Sequence, residues 1–332
     1  MAASFRLGRA GNVVTKNPSI DLAKGVLMLL VMAGHVMELV GAHGLILWVG
    51  SGFRMPLMLG ISGYLLNVAR IRGGGFTELL SRYGRRMLLP WFVATIIYLI
   101  SSQWLMSWTT PFDVLLRPPF HLWYVPVLFF LILMTWMLPF SPLILLALSA
   151  PCSLAVMYAF GLGHGPIFDG LLAPDSRFLR YSVYFFFGMT LAQTALPRRF
   201  LAPALLLCGL GLAWWSGLYR SGWELAYVPA RLLMCLGLIA LLPLTTAIRL
   251  EVLPLNAIGR NSLFFYLWHP LLMGSMILTG IGPFATLALS ILLLAIGSRF
   301  AARNRLAALL LGANPVKQRT QQAAPTPALA SP

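Results

Sequence analysis

Residues 20–42 read IDLAKGVLMLLVMAGHVMELVGA, a stretch in which only Asp21, Lys24, His35 and Glu38 are ionisable. A helix that crosses a hydrocarbon core needs about 20 mostly apolar residues. This stretch supplies them without the period-2 alternation of a half-buried strand. Nine more apolar stretches follow, at 45–68, 87–108, 120–138, 142–162, 178–196, 200–217, 226–248, 256–279 and 284–310. An open sheet would leave its backbone groups unsatisfied in lipid, so the stretches are read as helices. The expected fold is an all-α polytopic membrane bundle of about ten transmembrane helices. Pro126, Pro151, Pro229 and Pro270 fall inside the spans and are expected to mark kinks.

Composition agrees. Of 332 residues, 59% are hydrophobic and only 10% charged, against about 25% charged in an average soluble domain. The mean hydropathy is +0.83. Disorder of the bulk is excluded, and a dispersed globule would expose too much apolar surface. The formal charge of +16 would point to nucleic acid in a soluble protein; in a lipid-embedded chain it sets orientation instead. With the N-terminus placed in the cytoplasm, eighteen of the 24 basic residues fall on that side. Arg117, Arg177, Arg180 and Arg220 lie opposite, and Arg54 and Arg231 lie within spans. Both termini are therefore expected to be cytoplasmic. Residues 1–19 form an N-terminal segment, 20–311 the transmembrane unit, and 312–332 a Pro/Ala/Gln-rich tail of disordered composition. The first run lacks a convincing small-residue cleavage site and is taken as a retained helix. Cys152, Cys208 and Cys235 stand singly, as small core residues rather than a disulfide or metal framework. No internal repeat supports an inverted-repeat transporter.

Ionisable side chains inside spans are costly and usually face a cavity or a partner. Lys24 and His35 are eleven positions apart, close to three turns, so they share a helix face about 16 Å apart along the axis. That places Lys24 at the cytoplasmic edge and His35 near mid-membrane. Glu38, three residues on, neighbours His35 on the helix surface and can fix its tautomer, a general-base arrangement. The plainer alternatives are a packing histidine and an interfacial acid. The loop ARIRGGGFTELLSRYGRRMLLP (69–90) carries five arginines, suited to phosphate or to anionic lipid headgroups. In IGRNSLFFYLWHPLL (258–272), Tyr266 and His269 share a face. His121, Trp123 and Tyr124 open the fourth span at the outer surface, where an aromatic belt is common. Arg54 and Arg231 need partners or water. His43 and His164 fall in outer loops, where solvation is expected. No zinc-ligand spacing, P-loop or GxSxG elbow is present.

As a set these pieces resemble a known family. DLAKGVLMLLVMAGHV (21–36), MPLMLGISGYLL (55–66), SRYGRRMLLPWF (81–92), HLWYVPVLFF (121–130), YFFFGMTLA (184–192) and IGRNSLFFYLWHPLL (258–272) are similar, in order, to segments of the integral-membrane acyltransferase 3 family. The match runs over about residues 20–275. The resemblance implies transfer of an acyl group, acetyl foremost, from cytoplasmic acyl-CoA to a hydroxyl of a cell-surface or periplasmic glycan, at a bacterial inner membrane. It implies His35 as the catalytic histidine and Lys24 as the matching basic residue. Arg82, Arg85 and Arg86 become candidates for the CoA phosphates; Arg82 and Arg85 fit an R-x-x-R pattern, while Arg86 holds the usual place before the proline. Glu38 is expected to orient His35. His121, Trp123, Tyr266 and His269 are the expected substrate contacts, with outer loops 162–178 and 218–225 shaping the acceptor site. Acyl-CoA is the implied donor, with no metal. Expected partners are a glycan or glycolipid acceptor, membrane lipids and glycan-assembly proteins, not nucleic acid. A transporter or flippase for a glycan or lipid precursor, and an assembly partner for a glycan synthase, are the competing readings.

Overall fold

The computed structural model describes residues 17–103, 107–194 and 198–315. The expected N-terminal segment and tail lie mostly outside the described residues. Among the described residues the only β pairing is one antiparallel bridge between Pro166 and Asp175. Ten helices of twelve or more residues form the body. They are α1 (Pro18–Leu39), α2 (Leu45–Tyr64), α3 (Leu89–Ser101), α4 (Tyr124–Met137) and α5 (Pro142–Phe160). They continue with α6 (Ser182–Gln193), α7 (Leu201–Gly217), α8 (Glu224–Ala240), α9 (Ser262–Leu278) and α10 (Pro283–Ala301). Each apolar stretch contains one of them. Five are long and apolar enough to cross a membrane: α1, α2, α5, α10, and α8 taken with the turn that carries it to Ala247.

The helix starts follow from capping chemistry. Asn17 precedes α1 and its side chain accepts from Ser19 N at 2.9 Å, with Pro18 and Asp21 in the first turn. All three suit the positive end of a helix. Several stretches break where an asparagine interrupts them. Asn67 caps a short helix Val68–Arg72 after α2, and Asn304 caps Arg305–Leu311 after α10. Asn261 separates Leu253–Arg260 from α9.

α1 is the central helix, packed against α2, α9, α10 and Leu253–Arg260. Met28, Met32 and Val36 on it are fully buried. α2 crosses α6 at Gly60, Gly63 and Gly188, where an added Cβ on Gly63 or Gly188 would collide with the facing backbone. Small residues that let backbones approach are the usual contact between helices in lipid. Outward, α5, α7 and α10 expose Leu143, Leu148, Leu205, Leu206, Leu210, Leu292 and Leu293. Such a girdle suits lipid, not water.

Prolines inside helices free the carbonyl four residues upstream, and side chains reach the backbone near them. Pro56 frees Gly52 O, which accepts from Arg231 Nε at 2.8 Å. Leu122 O, just before α4, accepts from Trp91 Nε1 at 2.9 Å. Next to Pro270, the Tyr98 hydroxyl donates to Leu267 O at 3.1 Å and accepts from Leu271 N at 2.9 Å. Buried backbone groups must be satisfied somewhere, so these contacts pin helix pairs in one register. Arg231, flagged by its position within a span, thus has a structural partner. Its guanidinium also lies over the Tyr181 ring at 5.9 Å.

Candidate active site

His35 lies four residues before the end of α1, about 6 Å along the axis, at the end opposite Asn17. Along α1 it lies past the helix midpoint near Met28, since α1 begins at Pro18. His35 Nδ1 is 2.8 Å from Glu38 Oε2. A carboxylate only accepts, so Nδ1 carries the hydrogen, and in the neutral imidazole Nε2 is the nitrogen left with a lone pair. The second Glu38 oxygen faces Arg54 Nη2 at 3.4 Å, and Arg54 Nη1 donates to Leu30 O at 2.8 Å. A chain Arg54–Glu38–His35 results, holding the imidazole by its back edge. Gly34 makes room for it, since a Cβ there would land on the Arg54 guanidinium.

Two further histidines meet His35. Its ring centroid is 5.3 Å from that of His269 and 6.2 Å from that of His121, and His121 and His269 are 5.4 Å apart. His269 is fully buried. Its Nδ1 lies 2.8 Å from Phe265 O and 3.1 Å from Tyr266 O, the carbonyl that Pro270 frees. Nδ1 therefore carries a hydrogen, and Nε2 is left without a protein partner. His121 Nε2 is likewise buried and unpartnered. The Tyr266 hydroxyl donates to His121 O and accepts from Tyr124 N at 3.1 Å. That ties the start of α4 to α9. Among the described residues, no group of three His, Cys, Asp or Glu side chains is placed to hold a metal ion.

His35 and His121 border a cavity of about 270 Å³ whose lining also includes Arg54, Trp123, Arg180 and Tyr266. Its outer wall is the segment after α5. There Asp175 takes Arg177 in a two-point pair at 2.8 and 2.9 Å, and also meets His164 Nδ1 at 3.1 Å. His164, expected to be solvated, is half exposed and within hydrogen-bond distance of Asp175. Trp123 and Tyr124 are not rim aromatics but buried: Trp123 stacks on Tyr181 at 4.9 Å, and Tyr124 shares a 2.8 Å hydrogen bond with Ser62. Helix length alone cannot reveal this, because the burial depends on partners from other segments, Tyr181 and Ser62.

The basic residues of the other end are separate from this cavity. Lys24 pairs with Asp21 at 3.1 Å. Arg72 caps the end of α4 through Thr135 O, Leu138 O and Phe140 O. Arg82 pairs with Glu78. Arg85 and Arg86 are exposed on a π-helical turn, Gly84–Leu88, that leads into α3. Of the loop arginines, Arg82 is the one with an ion pair among the described residues. The sequence reading singled out neither Tyr98 nor Asp175, and it assigned Arg54 and Arg180 no role. Their signals are ordinary residue types whose partners come from distant segments.

A membrane-type helical bundle with a carboxylate-held histidine at a cavity defines the class of protein. Comparison defines the family. A family model described as an acyltransferase domain matches residues 17–301, and the chain belongs to this family, acyltransferase 3. It is 33% identical over 106 residues to the nodulation protein NolL of Mesorhizobium japonicum, a match covering 30% of this chain and 28% of that protein. The chain thus aligns with under a third of that relative's length. No solved structure matches it significantly.

Proposed function

We propose that the protein transfers an acyl group, acetyl foremost, from acyl-CoA to a hydroxyl of a surface or periplasmic glycan, with His35 as general base. The observation that carries this reading is the His35–Glu38 pair. Held by Nδ1, the imidazole directs Nε2 chemistry at a cavity large enough for a small substrate group. His35 Nε2 takes the proton of the acceptor hydroxyl as its oxygen attacks the thioester carbonyl. The C–S bond then breaks, and the leaving thiolate receives that proton from the imidazolium. His121 lines the same space and His269 packs against the His35 ring; with Trp123 and Tyr266 they are assigned to substrate positioning.

The donor is assigned to the end of the bundle that carries Lys24, Arg82, Arg85 and Arg86. Exposed Arg85 and Arg86 suit CoA phosphates. From Lys24 to His35 is about 16 Å along α1, a span a pantetheine arm can cross. Ten spans with both termini in the cytoplasm, in a bacterial inner membrane, complete the proposal, supported by the charge asymmetry. The test is His35→Ala in membranes supplied with labelled acetyl-CoA. Loss of label from the glycan fraction with normal insertion is expected; wild-type labelling refutes the base assignment. Glycan movement without any CoA-dependent labelling would favour a transporter instead.

A further inference from the structure

Around the cavity the acids are fully used. Both Glu38 oxygens are taken, by His35 and Arg54. Both Asp175 oxygens are taken by Arg177 and His164. Arg180 lines the same cavity and is only 2% exposed, yet it has no carboxylate partner. Its Nη1 reaches Leu162 O at 3.4 Å, while Nε and Nη2 have no protein partner. Those two groups form the side-on edge of the guanidinium. It is the edge by which Arg177, three residues earlier, holds Asp175 through Nε and Nη2. The free edge is thus a two-point fork for a planar or tetrahedral oxyanion. Asp175 attracts it from beyond ion-pair distance, but a buried cation with two unpartnered donors and no carboxylate in contact is costly, which makes a purely packing role unfavourable. Arg231, also buried, donates to Gly52 O and adds positive charge nearby rather than removing it.

We infer that Arg180 is an oxyanion-recognition residue: the substrate presented to His35 carries a carboxylate or phosphate that docks on its Nε/Nη2 edge. This deepens the proposed function and rests on that reading for the word substrate. The oxyanion belongs either to an acidic sugar acceptor or to a dicarboxylic acyl group on the donor, and one experiment separates the two.

Binding to the purified full chain in neutral detergent is measured by calorimetry, without turnover. In the acceptor arm, methyl β-D-glucuronide and glucose 1-phosphate are each compared with the neutral methyl β-D-glucoside. In the donor arm, succinyl-CoA is compared with acetyl-CoA, so that the CoA phosphates cancel. The expected result is a preference of about tenfold or more for the charged probe in one arm. It collapses to about onefold in Arg180→Gln and is partly kept in Arg180→Lys, which preserves charge and packing but not the fork. A preference in the acceptor arm assigns the oxyanion to the sugar, and one in the donor arm assigns it to the acyl group; both support the inference. No preference in either arm of the wild type, or one that survives in Arg180→Gln, overturns it. Because no acyl transfer is required, Arg180-dependent binding by a chain inactive toward every acyl-CoA would refute the proposed reaction and leave the oxyanion site standing.

Discussion

Replacing Glu38 by Gln tests whether the carboxylate holds His35 for chemistry. The substitution keeps the size of the side chain and removes its charge. A glutamine can offer its carbonyl oxygen to His35 Nδ1, but its amide nitrogen then faces Arg54 Nη2, donor against donor. A hydrogen bond to a charged group contributes about 1.5–3 kcal/mol. Glu38 is 55% exposed and His35 32%, so solvent screening lowers the expected loss to about 1–1.5 kcal/mol. Placed on the chemical step, that is about a five- to thirteenfold fall in kcat. KM for donor and acceptor should be unchanged, because Glu38 acts through His35. The assay is initial-rate transfer of labelled acetyl from acetyl-CoA to the glycan fraction of membrane vesicles. Arg54→Gln should fall by a similar factor, and the double variant should be no worse than Glu38→Gln alone, as for residues acting through one chain of contacts. Wild-type kcat in Glu38→Gln, or a defect confined to KM, would refute the orienting role.

Three further outcomes follow from particular contacts. Gly34→Ala places a methyl group on the Arg54 guanidinium; activity should drop to the Arg54→Gln level, with about 1–3 kcal/mol lost in stability, read as a lower unfolding midpoint in detergent. Tyr98→Phe leaves Leu271 N and Leu267 O without their bridge; thermal unfolding should show a loss of about 1–3 kcal/mol, and an unchanged midpoint would show that the helix closes its own ladder there. In a chain stripped of native cysteines, Gly74→Cys should react with an impermeant thiol reagent only from the cytoplasmic face and Asp169→Cys only from the opposite one. Labelling from the same side would overturn the orientation.

Much of this architecture is legible along the chain because an apolar solvent forces backbone polarity to be satisfied locally. Each of ten apolar stretches accordingly holds a helix. Their ends were less legible. The stretch 45–68 stops at Tyr64 and restarts after Asn67, and 284–310 breaks between Ala301 and Arg305. Asparagine caps end or restart a helix without interrupting the hydrophobic pattern for long.

The same division runs through the candidate site. The pairing of His35 with Glu38 follows from sequence alone, because a helix brings positions three apart together whatever surrounds it. The excess of basic over acidic residues also needs only counting. The meeting of His35 with His121 and His269 belongs to the tertiary structure. So do the seat of Arg54 over Gly34, the use of Arg72 as a helix cap, and the unshared edge of Arg180. Each depends on which helices cross and where prolines release carbonyls to a neighbour, and no local pattern encodes that. A buried charge is defined by the partner it has or lacks, and in this bundle the partners come from segments remote in the chain.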